Sequence, residues 1–316
     1  MQKFKEIAIG VLKKGNQYCL SKRKKDQTFA DKWEFPGGKV ETDESIKQAL
    51  VREFSEELAI QTRQWQPLIT IPWHYANISV RLNVYITSDF TGEPIGNEGQ
   101  EVAWFALNDL LRLDFPAANK GILSALKLSD FYYLTPNHEQ VDENIKAIKK
   151  ALEKNDVTCQ LYLPKELTVQ QKKDIDILLA LAKQRNVQVL LSGYLGHIFS
   201  FDGFSGVHLS SQQMLEIVNL NSDILTKLNV NDFLVISTHN QSQIDMALKL
   251  EADALLISSV KANSTQEGIE TSGWAQITET VGSLPIPVYA LGRMTKDALF
   301  SVKQLGARGI ASTQID

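Results

Sequence analysis

The chain has 316 residues and a formal net charge of −4, a length that suits two packed domains and an acidic balance that excludes a nucleic-acid polymer as the main partner. No segment approaches the roughly 18 apolar residues a membrane span needs, so no membrane partner is expected. Cys19 and Cys159 stand far apart without C-x-x-C spacing, which argues against a disulfide framework and for a reducing, cytoplasmic setting.

The opening Met1-Gln2-Lys3-Phe4-Lys5 has neither the apolar core nor the cleavage site of a signal peptide and runs straight into strand-like alternation. In the first half, strands are expected at 6–12, 17–21, 68–73, 79–87 and 102–105, and helices at 44–58 and 116–126. Thr42 or Asp43 is the expected cap of the first helix, with Asp43 and Glu44 at its positive end. This order predicts an α+β sandwich with the helix packed on a mixed sheet.

From Phe131 the rhythm becomes a regular strand–helix alternation. Strands are expected at 131–135, 158–163, 187–191, 206–209, 233–236, 254–258, 287–290 and 309–311, with helices between most of them, among these 169–184, 241–250 and 296–305. Eight such units in about 185 residues predict a compact (β/α)8 TIM barrel. The short join at Leu128-Ser129-Asp130 gives expected domains of 1–128 and 130–316.

The most informative segment is Gly37-Gly38-Lys39-Val40-Glu41-Thr42-Asp43-Glu44, continuing to Arg52-Glu53-Phe54-Ser55-Glu56-Glu57-Leu58. Glu53, Glu56 and Glu57 fall at i, i+3 and i+4, which gathers them within an arc of roughly 100° on a helix. Like charges so placed repel. A hard divalent cation reverses the sign of that interaction, since Mg²⁺ takes oxygen ligands and binds phosphates beside carboxylates. The full pattern, G-x5-E-x7-R-E-x-x-E-E, resembles the Nudix box. It departs at Ala59, where the box has glycine; a left-handed backbone there would cost alanine roughly 1 kcal/mol.

Further motifs are similar to the MutT-type oxidised-nucleotide hydrolases within that family: Glu34-Phe35-Pro36-Gly37-Gly38-Lys39, Gly92-Glu93-Pro94, Glu98-Gly99-Gln100, Trp104 and Asp114-Phe115-Pro116-Ala117-Ala118-Asn119. The resemblance implies a Nudix α/β/α sandwich that cleaves 8-oxo-dGTP to the monophosphate and pyrophosphate, with Mg²⁺, or Mn²⁺ as a substitute. Glu53, Glu56 and Glu57 are the expected helix ligands, and the resemblance adds the Gly37 carbonyl and Glu98. Glu53 is the expected general base with Glu98 as the alternative, because spacing alone does not separate a ligand from a base. Arg52 and Glu44 are expected to orient the carboxylates. Lys39 and Arg23 are expected, by resemblance, to meet phosphates, although Lys22-Arg23-Lys24-Lys25 also reads as a solvated hairpin.

Asn119 is the expected reader of the base. Oxidation at C8 of guanine places a donor at N7 beside the O6 acceptor, and an asparagine amide answers both. The competing reading makes Asn119 a helix cap after Pro116. Phe35 and Tyr75 either flank the base or belong to the core.

The second half is similar to the thiamine-phosphate synthase and TenI barrels through Tyr133-Leu134-Thr135, Gln160-Leu161, Gly206-Val207-His208-Leu209, Ser237-Thr238-His239, Ala290-Leu291-Gly292 and Gly306-Ala307-Arg308-Gly309-Ile310-Ala311. It departs where those synthases carry basic and acidic residues. Tyr162-Leu163-Pro164 replaces Arg-x-Lys, Ser192-Gly193-Tyr194 replaces Asn-Asp, Ser211-Gln212-Gln213 replaces an acidic residue, and Gly292-Arg293 replaces Gly-Gly. Without those carboxylates no Mg²⁺ cage for a pyrophosphate leaving group is evident, so synthase activity is not expected. His208, His239 and Arg293 stand as a possible anion site at the barrel mouth.

The expected whole is a two-domain nucleotide-pool sanitising enzyme acting on a nucleoside triphosphate, in no stated oligomeric state. The alternatives are hydrolysis of another nucleoside or thiamine-related diphosphate, and a nucleotide sensor; the intact Glu53, Glu56 and Glu57 disfavour the sensor.

Overall fold

The computed structural model describes residues 4–26, 28–110, 112–135, 140–154, 156–229, 231–258, 280–292 and 297–314. Two compact units are present, Met1–Lys127 belonging to the first and most residues from Leu128 onward to the second.

The first unit contains strands β1 (Lys5–Lys14), β2 (Gln17–Lys22), β3 (Trp33–Glu34), β4 (Gly37–Lys39), β5 (Gln61–Arg63), β6 (Gln66–His74), β7 (Ser79–Thr87), β8 (Asp89–Thr91) and β9 (Val102–Ala106). Its helices are α1 (Ile46–Leu58), α2 (Leu107–Leu110) and α3 (Lys120–Lys127). The main sheet runs β3-β2-β1-β7-β6, with β4 added to β1 and β9 to β2, while β5 and β8 form a separate pair. β1 and β7 are parallel and the other pairs antiparallel, so the sheet is mixed as expected.

β1 is buried on both faces because its alternating side chains feed two cores. Ala8 and Leu12 pack with Ala49, Leu50, Phe54 and Leu58 of α1. Val11 packs in the opposite core with Ile122 and Ala125 of α3. The result is an α/β/α sandwich. Gly10 permits the close approach of α1, since a β-carbon there would lie 2.3 Å from the Phe54 ring.

The start of α1 differs from expectation. Ser45, not Thr42 or Asp43, caps it in a reciprocal capping box with Gln48, and no acidic residue lies in the first turn. The S-x-x-Q spacing satisfies two backbone donors at once, which a single Thr or Asp side chain does not. At the other end Ala59 is left-handed, with φ 55° and ψ 33°. The expected helix at 116–126 resolves into a 3₁₀ turn, Ala117–Asn119, followed by α3.

The second unit is a closed barrel of eight parallel strands: β10 (Phe131–Leu134), β11 (Thr158–Leu163), β12 (Val189–Gly193), β13 (Gly206–Leu209), β14 (Phe233–Thr238), β15 (Ala254–Ser258), β16 (Val288–Leu291) and β17 (Gly309–Ser312). Tyr132, Leu190, Val235, Leu256, Tyr289 and Ala311, from six different strands, form its interior core. The barrel closes through β17 on β10, and Arg308 latches that seam by pairing with Asp130 and donating to the Leu128 carbonyl. The strand expected at 187–191 is shifted to Val189–Gly193. Ala298–Gln304 is helical within the expected 296–305 segment, whose first residue lies outside the described residues.

Candidate active site

Helix α1 buries Ala49, Leu50, Phe54 and Leu58, and this fixes which side chains it presents beside strand β4. Glu53 and Glu57 fall on that edge. The Glu53 carboxylate lies against Gly38, where an added β-carbon would stand 2.0 Å from Oε1. The Gly37 N–H donates to Glu57 Oε2 at 3.3 Å. Gly37 itself has φ 144°, and a β-carbon on it would meet the Ala8 carbonyl at 2.1 Å. Gly38 therefore lets the Glu53 carboxylate approach the backbone, while Gly37 lets β4 lie close against β1.

Arg52 organises the acidic edge. Its Nε and Nη2 donate to the two oxygens of Glu44, each at 2.9 Å, and its Nη1 donates to Glu53 at 2.8 Å. It also reaches Glu56 at 3.4 Å and the Lys39 carbonyl at 3.0 Å. The hydrogen bond from Arg52 holds the Glu44 carboxyl below its ordinary range, and Glu44 in turn raises the guanidinium. The contact is a bidentate, charge-assisted pair.

Glu98 arrives on a loop tied to the end of α1. The last carbonyls of a helix lack partners within it. Here the Asn97 side chain donates to the Glu56 carbonyl at 2.8 Å, the Asn97 N–H to the Glu57 carbonyl at 2.9 Å, and the Ile95 N–H to the Leu58 carbonyl at 3.1 Å. The Gln100 side chain donates to the Glu57 carbonyl at 2.9 Å and accepts from the Glu98 N–H at 3.0 Å. The Glu98 carboxylate is exposed and pairs with Lys24 at 3.5 Å.

The electrostatics are those of crowded carboxylates. Burial pushes Glu57 up to about 8, and the charges of Glu53, Glu34 and Glu98 push the same way against the Gly37 hydrogen bond. Burial also raises Glu53, against the pull of Arg52. Among the described residues no three carboxylate, imidazole or thiol groups are gathered closely enough to hold an ion as placed. Arg52 draws Glu53 and Glu56, and Lys24 draws Glu98, so the chain's own cations occupy these oxygens. The donor set is nonetheless all oxygen, anionic and mutually repelling, which fits a hard divalent cation.

The residues expected to meet substrate are placed unevenly. Arg23 is half-buried and paired with Glu34 rather than free in a solvated hairpin. Lys39 is exposed on β4. Phe35 is fully buried in the core and stacks on Phe115 at 5.8 Å. Tyr75 is half-buried, packs on Phe29 at 5.6 Å, and feels the charges of both Arg23 and Glu34. Asn119 is buried at the end of the 3₁₀ turn, where its amide donates to the Pro116 carbonyl at 3.4 Å.

Glu34 is a further acidic residue beside the site, to which the sequence motifs assign no role. It connects Arg23, Tyr75 and Glu57 electrostatically, and burial raises its carboxyl against the opposing Arg23 charge. Its place inside Glu34-Phe35-Pro36-Gly37-Gly38-Lys39 was the available signal.

At the barrel mouth, His208 is buried with its Nδ1 at 3.1 Å from the Tyr132 hydroxyl and its Nε2 at 2.8 Å from Ser237. Burial lowers it to about 4, which favours the neutral ring at physiological pH. His239 is exposed and bonds Ser258 at 2.6 Å, while Arg293 lies outside the described residues. Gln213, from the segment replacing an acidic residue, completes a capping box with Ser210 on the helix Ser211–Asn219. Gln160 bonds Ser192 and accepts from the Thr135 N–H at 3.1 Å. Hydrogen bonds within the fold thus engage these neutral polar groups.

Comparison with known proteins divides the chain in the same way. Residues 8–125 match the NUDIX domain family, and residues 131–314 match the thiamine monophosphate synthase family. An 8-oxo-dGTP diphosphatase of Escherichia coli strain K12 is 34% identical over 123 residues, covering 39% of this chain and 95% of that protein. A CTP pyrophosphohydrolase of the same organism is 30% identical over 120 residues, 38% of this chain and 89% of the relative. A solved thiamine phosphate pyrophosphorylase from Pyrococcus furiosus is 21% identical with a TM-score of 0.43, covering 59% of this chain and 85% of that one. The chain belongs to the NUDIX family through its first unit and to the thiamine monophosphate synthase family through its second.

Proposed function

We propose that this protein hydrolyses 8-oxo-dGTP to 8-oxo-dGMP and pyrophosphate in a Mg²⁺-dependent reaction, and so removes an oxidised purine nucleotide from the precursor pool. The first unit is a phosphoanhydride hydrolase acting on nucleotides, in keeping with its NUDIX membership and its likeness to 8-oxo-dGTP diphosphatases. The observation that carries the reading is the placement of Glu57, a buried carboxyl that accepts from the Gly37 N–H while Glu53 lies against Gly38. Such a group is costly without a cation and useful with one.

The Gly37 carbonyl, Glu53, Glu56, Glu57 and Glu98 would hold the ion, with Mn²⁺ as a substitute for Mg²⁺. When bound, it neutralises phosphate charge and makes a water acidic enough to attack. Glu53 would take a proton from the attacking water, with Glu98 as the alternative. Arg52, braced on Glu44, keeps Glu53 oriented. Lys39 and Arg23 receive phosphate oxygens, Arg23 by leaving Glu34. Phe35 and Tyr75 border the base pocket from the core side, and Asn119 offers an acceptor to N7–H and a donor to O6 of the oxidised base. Unoxidised guanine opposes two acceptors there, which costs roughly 1–3 kcal/mol.

A second reading, preference for an unoxidised nucleotide, draws on the likeness to a CTP pyrophosphohydrolase. A panel of nucleoside triphosphates with Mg²⁺, scored for pyrophosphate release, separates the two: the first requires 8-oxo-dGTP to lead in kcat/KM. The barrel, we infer, does not make thiamine phosphate, because neutral side chains stand where a pyrophosphate-binding cage would need charge. Domain limits of 1–128 and 130–316 follow from the same reading. A cytoplasmic location accords with two buried free cysteines and with the absence, among the described residues, of any helix long and apolar enough to cross a membrane.

A further inference from the structure

We propose that Gln100 is the positioning residue that sets the spacing between the helix carboxylates and Glu98, and that it acts on metal affinity through Glu98 without touching the ion. The proposal rests on the metal site proposed above. Glu57 and Glu98 come from different elements, a rigid helix and an exposed loop, so something must hold the loop in register with the helix. Gln100 uses both ends of its amide for this: Nε2 donates to the Glu57 carbonyl at 2.9 Å and Oε1 accepts from the Glu98 N–H at 3.0 Å. One planar group thereby links the backbones of the two acidic residues. The loop is tight around it, since a β-carbon on Gly96 would meet the Gln100 carbonyl oxygen at 1.7 Å.

Asn97 provides an internal control. Its side chain satisfies the neighbouring Glu56 carbonyl at 2.8 Å, and no hydrogen bond between it and Glu98 is present in the structure. Loss of Gln100 does not strip the helix end either, because the Asn97 N–H still donates to the Glu57 carbonyl at 2.9 Å. The isosteric Gln100→Met should therefore fold, and its defect should be one of placement.

The test is Mn²⁺ binding by the full-length protein, read by electron paramagnetic resonance of the free ion, with thermal melting in parallel. Gln100→Met should weaken Mn²⁺ binding by about tenfold, the low end for residues that orient metal ligands. Asn97→Ala, which loosens the loop but leaves the Glu98 N–H held by Gln100, should weaken binding clearly less. In a Glu98→Gln background, Gln100→Met should cause no further loss, because the residue it positions no longer carries the ligand charge; a merely structural role would add its effect in full. Wild-type Mn²⁺ affinity in Gln100→Met, equal losses in Asn97→Ala, or full additivity with Glu98→Gln overturns this proposal alone. A wild-type protein that takes up no Mn²⁺ overturns the metal site as well.

Discussion

Arg52 holds both oxygens of Glu44 through hydrogen bonds of 2.9 Å each, and this grip aims its Nη1 at Glu53, 2.8 Å away. Glu44 lies outside helix α1 and Glu53 within it, so one guanidinium joins the turn before the helix to the acidic edge. A lysine keeps the charge but not the fork. Arg52→Lys should lower kcat by about 10–100-fold, the range for residues that orient a metal ligand. Steady-state pyrophosphate release checks this, and a wild-type rate would mean that charge alone suffices.

Ala59 offers a stability test that leaves the site untouched. Its left-handed φ of 55° strains a residue with a β-carbon, where glycine is at ease. Ala59→Gly should gain roughly 1 kcal/mol in denaturant unfolding with turnover unchanged. A loss of stability would show that flexibility gained by the unfolded chain outweighs the relief of strain.

How much of this was legible beforehand differs by residue. The i, i+3, i+4 spacing of Glu53, Glu56 and Glu57 and the apolar strands of the barrel are local patterns, and local patterns survive folding. The Ser45–Gln48 capping box was equally readable but was masked by the polar Thr42 and Asp43 just before it. The Arg23–Glu34 pair, the Gln100 bridge and the neutrality of His208 depend on chain segments that meet only in the fold. No spacing rule reports them. The strand expected at 187–191 moved because Val187-Gln188-Val189-Leu190-Leu191 is apolar enough to start at either end, and pairing of β12 with β11 decides the register.

The raised carboxyls make a statement about pH. Glu57 moves from an ordinary 4.5 to about 8, so between those values the folded chain holds a proton that the unfolded chain has lost. Stability fully present below about 4.5 is then lost as pH rises through about 8, with a slope from this one group of at most about 1.4 kcal/mol per pH unit. Glu53 and Glu34, also raised by burial, act in the same direction. Glu44, lowered chiefly by its hydrogen bond from Arg52, has the opposite sign, and its contribution is lost as pH falls below the ordinary carboxylate range. Metal-free protein should melt at progressively lower temperature from pH 5 to pH 9, and Mg²⁺ should flatten the trend by taking the place of the proton. A melting temperature that rises across that window without metal contradicts the assignment.

In the proposed function, Asn119 reads the base. Replacing it by alanine removes both answering groups, so Asn119→Ala should narrow the kcat/KM ratio of 8-oxo-dGTP over dGTP by about 5–150-fold, equivalent to roughly 1–3 kcal/mol. Competition assays with the two nucleotides measure that ratio. An unchanged ratio would move base selection to another residue.

In the proposed reaction the Glu53 edge of helix α1 splits a phosphoanhydride. Its most direct measurement is pyrophosphate release from 8-oxo-dGTP by the purified full-length chain with Mg²⁺, beside Glu53→Gln, whose fold is checked by circular dichroism. The wild type should turn over, and the folded variant should lose at least about 100-fold, the scale of a missing general base. An inert wild type, or equal rates in the two proteins, contradicts the proposed reaction.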